Sequence, residues 1–209
     1  MFSKPTFLQA IPTVLVALTA VSLTAAEPKA KAGPKDYSAS ARTFYLEGVK
    51  SDADVKAIIA AASKVNTVSN IVDLTPAGGF ANISFDHHAV THQQIAQAIA
   101  DAGAFKVSFK FLVPDYPKAG NAAKMDAVFA RFAKLVSIEP LDQGRGLFVI
   151  RFLPFKPEPG KPLGTGFNFG NIAHPIIDPA PKGMGLRIQQ LAEGSLAKPA
   201  DTAKKKGKK

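Results

Sequence analysis

Apolar residues recur along this chain with two periods, one of two residues and one of three to four residues. Alternation of apolar and polar side chains predicts strands at residues 43–48, 68–74, 80–85 and 105–113. The helical period predicts helices at 51–63 and 91–102. The clearest strand places alternate side chains on one face: Phe105, Val107, Phe109, Phe111 and Val113. The turn Thr-Pro-Ala-Gly-Gly at 75–79 predicts a hairpin, so the elements follow the order βαββαβ.

That order is typical of the ferredoxin-like fold, in the α+β class. The inward stripes of its two helices are predicted as Val55, Ile58, Ile59 and Ala62, and as Ile95, Ala98, Ile99 and Ala102.

The second half of the chain partly repeats the first. The pattern predicts a helix at 121–135 and strands at 136–141 and 147–155, joined by a Gly-Arg-Gly turn at 144–146. Val136-Ser137 echoes Val68-Ser69 at an offset of 68, and residues 150–152 echo 83–85 at an offset of 67. We therefore expect a degenerate tandem of two ferredoxin-like units, at 42–113 and 114–191.

After Pro154 the echo ends. Residues 154–181 are rich in Pro and Gly and predict a loop or a short helix, and residues 185–191 predict a returning edge strand.

The N-terminus has the layout of a secretory signal. Lys4 precedes an uncharged apolar run, and small residues lead to Glu27, so residues 1–26 predict a cleaved signal peptide and residues 27–41 a flexible linker. The alternative is an uncleaved membrane anchor, because the run approaches the roughly 20 residues that span a bilayer. Either interpretation places the protein in the periplasm or at the cell envelope of a bacterium.

The formal net charge of +10 is concentrated at the C-terminus. Residues 196–209 hold six lysines and one aspartate, whereas residues 40–195 hold 16 basic and 13 acidic side chains. This distribution argues against a folded nucleic-acid surface. We expect residues 192–209 to be a disordered tail that either solubilises the protein or contacts anionic surfaces through its end, Lys204, Lys205, Lys206, Lys208 and Lys209.

Cysteine does not occur in the chain. Disulfides, thiolate metal sites and cysteine nucleophiles are therefore excluded. The sequence also contains no nucleophile elbow, phosphate loop, zinc-protease motif or dinucleotide fingerprint, and we expect a protein that is not an enzyme.

The first unit has a Phe85-Asp86 corner and the helix Ile-Ala-Gln-Ala-Ile-Ala-Asp-Ala-Gly at 95–103. In these features it resembles the heavy-metal-associated (HMA) domain family, which includes copper chaperones, modules of copper-transporting ATPases and the periplasmic mercury-binding protein. The resemblance implies a ferredoxin-like fold and metal binding through two cysteines in the first loop. Here that loop reads Gly-Val-Lys-Ser-Asp-Ala-Asp at 48–54, with Ser51 and Asp54 at the thiolate positions.

A hydroxyl and a carboxylate are hard ligands, so this loop is not expected to transfer soft metals such as Cu(I) or Hg(II). Ser51 and Asp54 have the spacing of a capping box at the start of a helix, and we expect that role for them.

Three of the four histidines fall together near the second helix. Imidazoles suit Cu(II), Ni(II) or Zn(II), so a candidate metal site consists of Asp86, His87, His88 and His92. The alternative is that these are solvated corner residues, because Thr91 is expected to cap the helix with Gln94 and the helical pairing of His88 with His92 is then not assured. His174 is isolated in sequence.

These observations lead to two hypotheses of function. The first is an exported, non-enzymatic HMA-like binding protein that takes a divalent transition metal through histidine and carboxylate ligands. The second is that metal binding has been lost and the scaffold serves in interactions with an envelope protein or in structure, with the basic tail contacting anionic surfaces.

Overall fold

The computed structural model describes residues 40–155 and 166–197, which form an α+β fold with an antiparallel sheet. None of these residues belongs to a helix with the length and apolar character of a membrane span. The predicted signal peptide, most of the predicted linker and the lysine-rich end lie outside the described residues.

The first half of the described chain contains the predicted βαββαβ order. Its elements are β1 (Ser40–Glu47), α1 (Asp52–Ala62), β2 (Asn70–Val72), β3 (Phe80–Phe85), α2 (His92–Asp101) and β4 (Lys106–Leu112). The strands lie in the order β2-β3-β1-β4 and every pairing is antiparallel. This arrangement agrees with the predicted ferredoxin-like topology. β1 begins three residues earlier than predicted, and β2 is shorter.

The second half adds to the same sheet. Its elements are α3 (Asn121–Ala130), β5 (Val136–Asp142), β6 (Leu147–Phe152), α4 (Gly170–Ile177) and β7 (Gln189–Gln190). They are followed by a short 3₁₀ helix at Gly194–Leu196. β6 pairs with β4, β5 pairs with β6, and β7 pairs with the end of β4. The sheet therefore runs β2-β3-β1-β4-β6-β5, with β4 as the strand that joins the halves.

The two ladders have the same register. Phe44 lies opposite Ala81 in β1 and β3, and adding 67 to both numbers gives Phe111 opposite Phe148 in β4 and β6. The same shift converts the pair of Asn70 and Ser84 into the pair of Ser137 and Arg151. The sequence pairs Val136 with Val68 at an offset of 68. The strand pairing instead makes Val136 the counterpart of Ser69, so the offset in this ladder is 67 as well.

The apolar core lies on the helical face of the sheet in two clusters. The predicted stripe of β4 is buried as expected, and it contributes to both clusters. The buried faces of the two helices differ from the prediction in two ways: Ile59 is 38% exposed, and Ala96 is buried whereas Ala98 and Ala102 are not. The reason for the second difference is that α2 packs against β6 as well as against its own half, which shifts its buried face.

The opposite face of β1 and β3 is crossed by residues 189–197. Asn82 receives a hydrogen bond of 2.6 Å from the Thr43 hydroxyl and donates one of 2.9 Å to the Glu193 carbonyl. Asp73 accepts from the backbone N–H of Ser195 at 2.9 Å and from its hydroxyl at 2.5 Å. Residues 192–197 thus belong to the folded unit, although the sequence predicts that the tail begins at 192.

Candidate functional site

The loop that corresponds to the HMA metal loop is an ordinary helix start. The Asp54 backbone N–H donates to Ser51 Oγ at 3.2 Å, and the Ser51 backbone N–H donates to Asp54 Oδ2 at 2.9 Å. Lys50 adds a backbone hydrogen bond of 2.8 Å to the same carboxylate oxygen. The hydrogen bonds that this carboxylate accepts, from the Lys50 N–H first and then from the Ser51 hydroxyl and N–H, hold the pKa of Asp54 below its usual value. The predicted capping box is confirmed, and both side chains serve the backbone of α1.

His92, one of the predicted metal ligands, lies in the core. It is 2% exposed, and its ring makes edge-to-face contacts with the rings of Phe85 and Phe109, each with ring centroids 5.1 Å apart. Its Nδ1 lies 2.5 Å from Asn168 Oδ1, which assigns the proton to Nδ1 because the amide oxygen can only accept. Burial lowers the pKa of His92 to about 3, so the ring is neutral at physiological pH.

The burial of His92 follows from its helical position. Thr91 caps α2 in a capping box with Gln94, as predicted, so His92 is the first helical residue. It then shares a face with Ile95 and Ile99, three and seven residues later, both fully buried. This spacing is visible in the sequence and indicates a core position for His92.

His87 and His88 lie together in the corner before α2. Their ring centroids are 4.1 Å apart, and His87 Nδ1 is 3.5 Å from the Ser40 hydroxyl. Asp86 accepts the backbone N–H of His88 at 2.9 Å and so closes the turn. The pKa of His87 is lowered, mainly because the ring is partly buried and to a smaller extent because His88 and Arg42 lie nearby. One carboxylate oxygen of Asp86 is thus engaged by the backbone of this corner.

The structure does not bring the four predicted ligands into one metal site. Within residues 40–155 and 166–197, no group of three His, Cys, Asp or Glu side chains has an arrangement that could hold a metal ion. The physical reason is that His92 points into the aromatic core, whereas His87 and His88 remain in the corner. His174, isolated in sequence, has a side chain that is 79% exposed and lies 4.0 Å from Asp178.

Gln93 is a residue whose role the sequence analysis missed. It is fully buried, and its Nε2 donates to the carbonyls of Leu135 at 2.8 Å and Leu153 at 3.0 Å. Its Oε1 accepts from the backbone N–H of Phe167 at 2.7 Å. One side chain in the first turn of α2 therefore joins three segments of the second half. A glutamine in an amphipathic helix has no local signal for this role.

A groove of about 550 Å³ lies beside α2, where the two halves meet. The last pair of β4 and β6 is Ser108 with Arg151, so the strands separate beyond it and leave a gap. Three side chains that belong to the helical side of the sheet line this gap: Phe105, Val107 and Phe152. Ala96 and Ala100 line it from α2, and their small size leaves it open.

Charged side chains line the same groove. Arg151 lies 3.5 Å from carboxylate oxygens of both Glu47 and Glu139. Lys106 lies opposite Glu47 in the β1–β4 ladder and forms no ion pair with any described residue. The groove therefore combines an apolar floor with a cation that is available to a ligand.

Comparison with known proteins adds structural neighbours but no family. No family model matches the sequence, and no curated protein is similar to it. One similar solved structure is that of a Bacillus anthracis str. Ames protein described as copper-ion-binding, 26% identical, with 32% of this chain and 93% of that chain covered and a TM-score of 0.31. Another is the water-soluble region of the P-type ATPase CopA from Bacillus subtilis, 16% identical, with coverage of 55% and 76% and a TM-score of 0.32. The relation to HMA domains therefore stays a resemblance.

Proposed function

We propose that this protein is a non-enzymatic binding protein, on an HMA-like scaffold, that takes its ligand in the groove beside α2 rather than at the loop before α1. The observation that carries the proposal is the groove itself, which has a volume of about 550 Å³ and an apolar floor next to charged side chains. Pockets of this kind, apolar with a few convergent polar groups, are the usual sites of ligand binding.

The lining of the groove indicates an amphipathic, anionic ligand. Phe105, Val107 and Phe152 offer apolar surface to a hydrocarbon chain or ring. Arg151 is engaged by two carboxylates, so the available positive charge is that of Lys106. A ligand with an apolar body and one carboxylate satisfies both features.

The experiment measures binding of laurate, a long-chain carboxylate, to the full chain by calorimetry. Ala100→Leu fills the groove, and Ala127→Leu, at an exposed position on α3, is the matched control. We expect Ala100→Leu to bind laurate at least about tenfold more weakly, which corresponds to about 1.4 kcal/mol. The control should bind it as the unmodified chain does. Lys106→Glu should also bind laurate more weakly than the unmodified chain, whereas Lys124→Glu, on the exposed face of α3, should bind it equally well. Equal affinity in Ala100→Leu and the unmodified chain would refute the proposal.

A second candidate function is metal binding at the corner formed by His87 and His88. It is favoured by the 4.1 Å separation of their ring centroids, since adjacent imidazoles suit Cu(II), Ni(II) or Zn(II). His92 is not part of this candidate because it is buried. Titration of the full chain with each ion, and of His87→Ala/His88→Ala, tests it. Heat that persists in the double variant would place the metal elsewhere, and the absence of heat with every ion would end this candidate.

We further propose that the chain holds a degenerate tandem of two ferredoxin-like units that share one strand. β4, α3, β5, β6, α4 and β7 follow the order βαββαβ, and their strands pair as β5-β6-β4-β7. That pairing repeats β2-β3-β1-β4, with a common offset of 67 in both ladders. In this proposal β4 is the last strand of the first unit and the first strand of the second.

Export to the periplasm or cell envelope also remains our proposal, from the signal-like residues 1–26. Its partners there are an envelope protein or an anionic surface, the latter contacted by Lys204–Lys206, Lys208 and Lys209. Fractionation of the producing cells, with mass spectrometry of the N-terminus, distinguishes a cleaved chain that begins near Glu27 from an anchored one.

A further inference from the structure

The outer edge of β5 lies next to a second groove. The strand order of the sheet ends at β5, and none of the described strands pairs with its outer side. The groove between α3 and this edge has a volume of about 400 Å³. Its walls are formed by Phe129, Ala130 and Ala133 on one side and by Val136 and Ile138 on the other. A sheet edge beside an apolar groove is the geometry in which extended peptides bind as an added strand.

The direction of the backbone groups of β5 follows from two hydrogen bonds. The Leu153 N–H donates to the Leu135 carbonyl at 3.0 Å, so Leu135 and every second residue after it face β6. Residues 136, 138 and 140 then face outward. The Val136 N–H agrees, because it donates at 3.0 Å to the Phe132 carbonyl on the side away from β6. The Ile138 N–H and carbonyl and the Val136 and Pro140 carbonyls therefore lie along the open edge.

The far end of this edge is protected against further pairing. Pro140 has no N–H, and a register shift between Pro140 and Asp142 marks a bulge. Glu139 is exposed on the same stretch. The edge can thus accept a short strand opposite residues 136–140, but it is a poor template for a longer one.

We propose that residues 136–140 and the groove beside α3 bind an extended peptide segment of a partner protein, which pairs with β5 as an additional strand. An apolar side chain of the peptide enters the groove between Phe129, Ala133 and Ile138. Asp126 is the charged residue that lines this groove, so the peptide carries a Lys or Arg beside its apolar residue. Asp126 also interacts with the Tyr116 hydroxyl and keeps acceptor capacity for a cation.

A second copy of this chain is a weaker candidate for the same edge. Pairing two β5 strands would bring two copies of Asp126 to one interface, whereas Glu139 already lies 3.5 Å from Arg151. Like charges brought together at an interface oppose association. The basic peptide meets Asp126 with opposite charge.

The experiment uses the full chain and a defined probe, the acetylated and amidated peptide Lys-Val-Thr-Val-Thr. Amide NMR shifts of the labelled protein report where it binds. We expect shifts that centre on residues 136–140 and on the side of α3 facing β5. The same peptide with N-methyl groups on alternate amides cannot pair along one edge, so we expect at least about tenfold weaker binding, the cost of one lost hydrogen bond of about 1.4 kcal/mol.

Protein variants test the groove and the charge separately. Ala130→Leu fills the groove, with Ala127→Leu on the same helix as its matched control. Asp126→Asn removes the acidic side chain, with Asp101→Asn on α2 as its control. We expect both test variants to bind the peptide more weakly and both controls to bind it like the unmodified chain.

Several results would overturn the proposal. These are equal binding of the N-methylated peptide, shifts confined to other parts of the sheet, or no shift at millimolar peptide. A dimer that is seen by sedimentation and lost in Ile138→Pro would assign the edge to a second copy. Laurate binding at the other groove is unaffected by any of these outcomes.

Discussion

The two halves of the sheet have the same ladder but different connections. In both, a backbone N–H of the first strand donates to a hairpin glycine at 2.8 Å, from Leu46 to Gly79 and from Val113 to Gly146. The helices that follow begin differently. α1 has the Ser51 capping box, whereas α3 begins after Gly120, whose φ is +81° and which has no side-chain cap. Strand pairing thus tolerates wide change in the loops, because it requires only backbone groups and alternating apolar side chains.

The helices α2 and α4 differ in the same way. Buried residues with matching spacing face the sheet in each: Ile95, Ala96 and Ile99 in α2, and Ile172, Ala173 and Ile176 in α4. Only α2 begins with a capping box and with buried polar side chains that contact the other half. The side-chain hydrogen bonds that α2 makes to the other half therefore lie at its first turn, and they can be broken there.

The largest effect is expected from Gln93→Leu. This change leaves the Leu153 carbonyl and the Phe167 N–H without a side-chain partner, whereas the Leu135 carbonyl keeps the Leu153 N–H. The expected cost is about 5 kcal/mol, roughly 2 kcal/mol for each of the two unpaired groups and about 1 kcal/mol for the bond lost at Leu135. Urea unfolding of the variant measures the loss. Gln143→Leu, on an exposed turn of the second half, should change the free energy of unfolding by less than about 0.5 kcal/mol. Similar stability of both variants would contradict the role assigned to Gln93.

The hairpin glycines give the next effect. Gly79 and Gly146 have φ values of +64° and +70°, but an added Cβ would lie 3.7 Å from the Leu46 carbonyl oxygen in the first case and 2.0 Å from that of Val113 in the second. Gly146→Ala must displace backbone, and we expect a loss of about 4 kcal/mol. Gly79→Ala should lose about 1 kcal/mol, the usual cost of a left-handed residue. Equal losses in thermal unfolding would mean that the two hairpins differ less than the structure indicates.

The acid sensitivity of the first half is expected to depend on His92. Its pKa is lowered to about 3 by burial, whereas in the unfolded chain it is about 6.5. Above pH 6.5 neither state binds the proton and His92 makes no pH-dependent contribution. Below that value only the unfolded state binds it, so stability falls by about 1.4 kcal/mol per pH unit, about 3 kcal/mol at pH 4.5, and levels off below about pH 3.

His92→Phe should remove most of this fall in the free energy of unfolding, the acid limb, when unfolding is measured between pH 7 and 4, since Phe cannot bind a proton. His88→Phe, at an exposed position, is the control and should retain the limb. The lowered pKa of His87 acts in the same direction. Persistence of the full limb in His92→Phe would assign it to other groups.

The smallest effect is expected at the helix starts. Ser51→Ala removes the side-chain acceptor for Asp54 N–H and should lower the free energy of unfolding by about 1 kcal/mol. Asn121→Ala, at the first residue of α3, leaves Gly120 at the N-cap and removes a 2.8 Å side-chain hydrogen bond to the Asp115 carbonyl, so we expect a smaller loss. A loss in Ser51→Ala smaller than that in Asn121→Ala would reverse the ranking of the two starts.

Much of the secondary structure could be predicted because it depends on neighbouring residues. Alternation places β3 at residues 80–85, as the structure does, and both capping boxes follow from spacings of three residues. The end of α3 was predicted five residues too late, since the apolar period continues through Phe132 and Leu135 although the helix ends at Ala130. These side chains pack against the second core cluster from a turn.

The candidate sites could be predicted less well. His87 and His88 lie together because they are neighbours in sequence, but the Asn168 side chain that binds the buried His92 ring is 76 residues away. The groove beside α2 exists because β4 and β6 separate after Ser108 and Arg151. The open edge of β5 depends on the order of all strands in the sheet. No local pattern contains these relations.

The sequence by itself determined the elements, the absence of thiol chemistry and the concentration of positive charge at the C-terminus. Only the tertiary structure decided that β4 serves both halves, that Gln93 is a core residue and where the grooves lie. The physical reason is the range of the forces involved. Periodicity and capping act between residues within one or two turns, whereas burial and strand order depend on segments that meet only after the chain has folded.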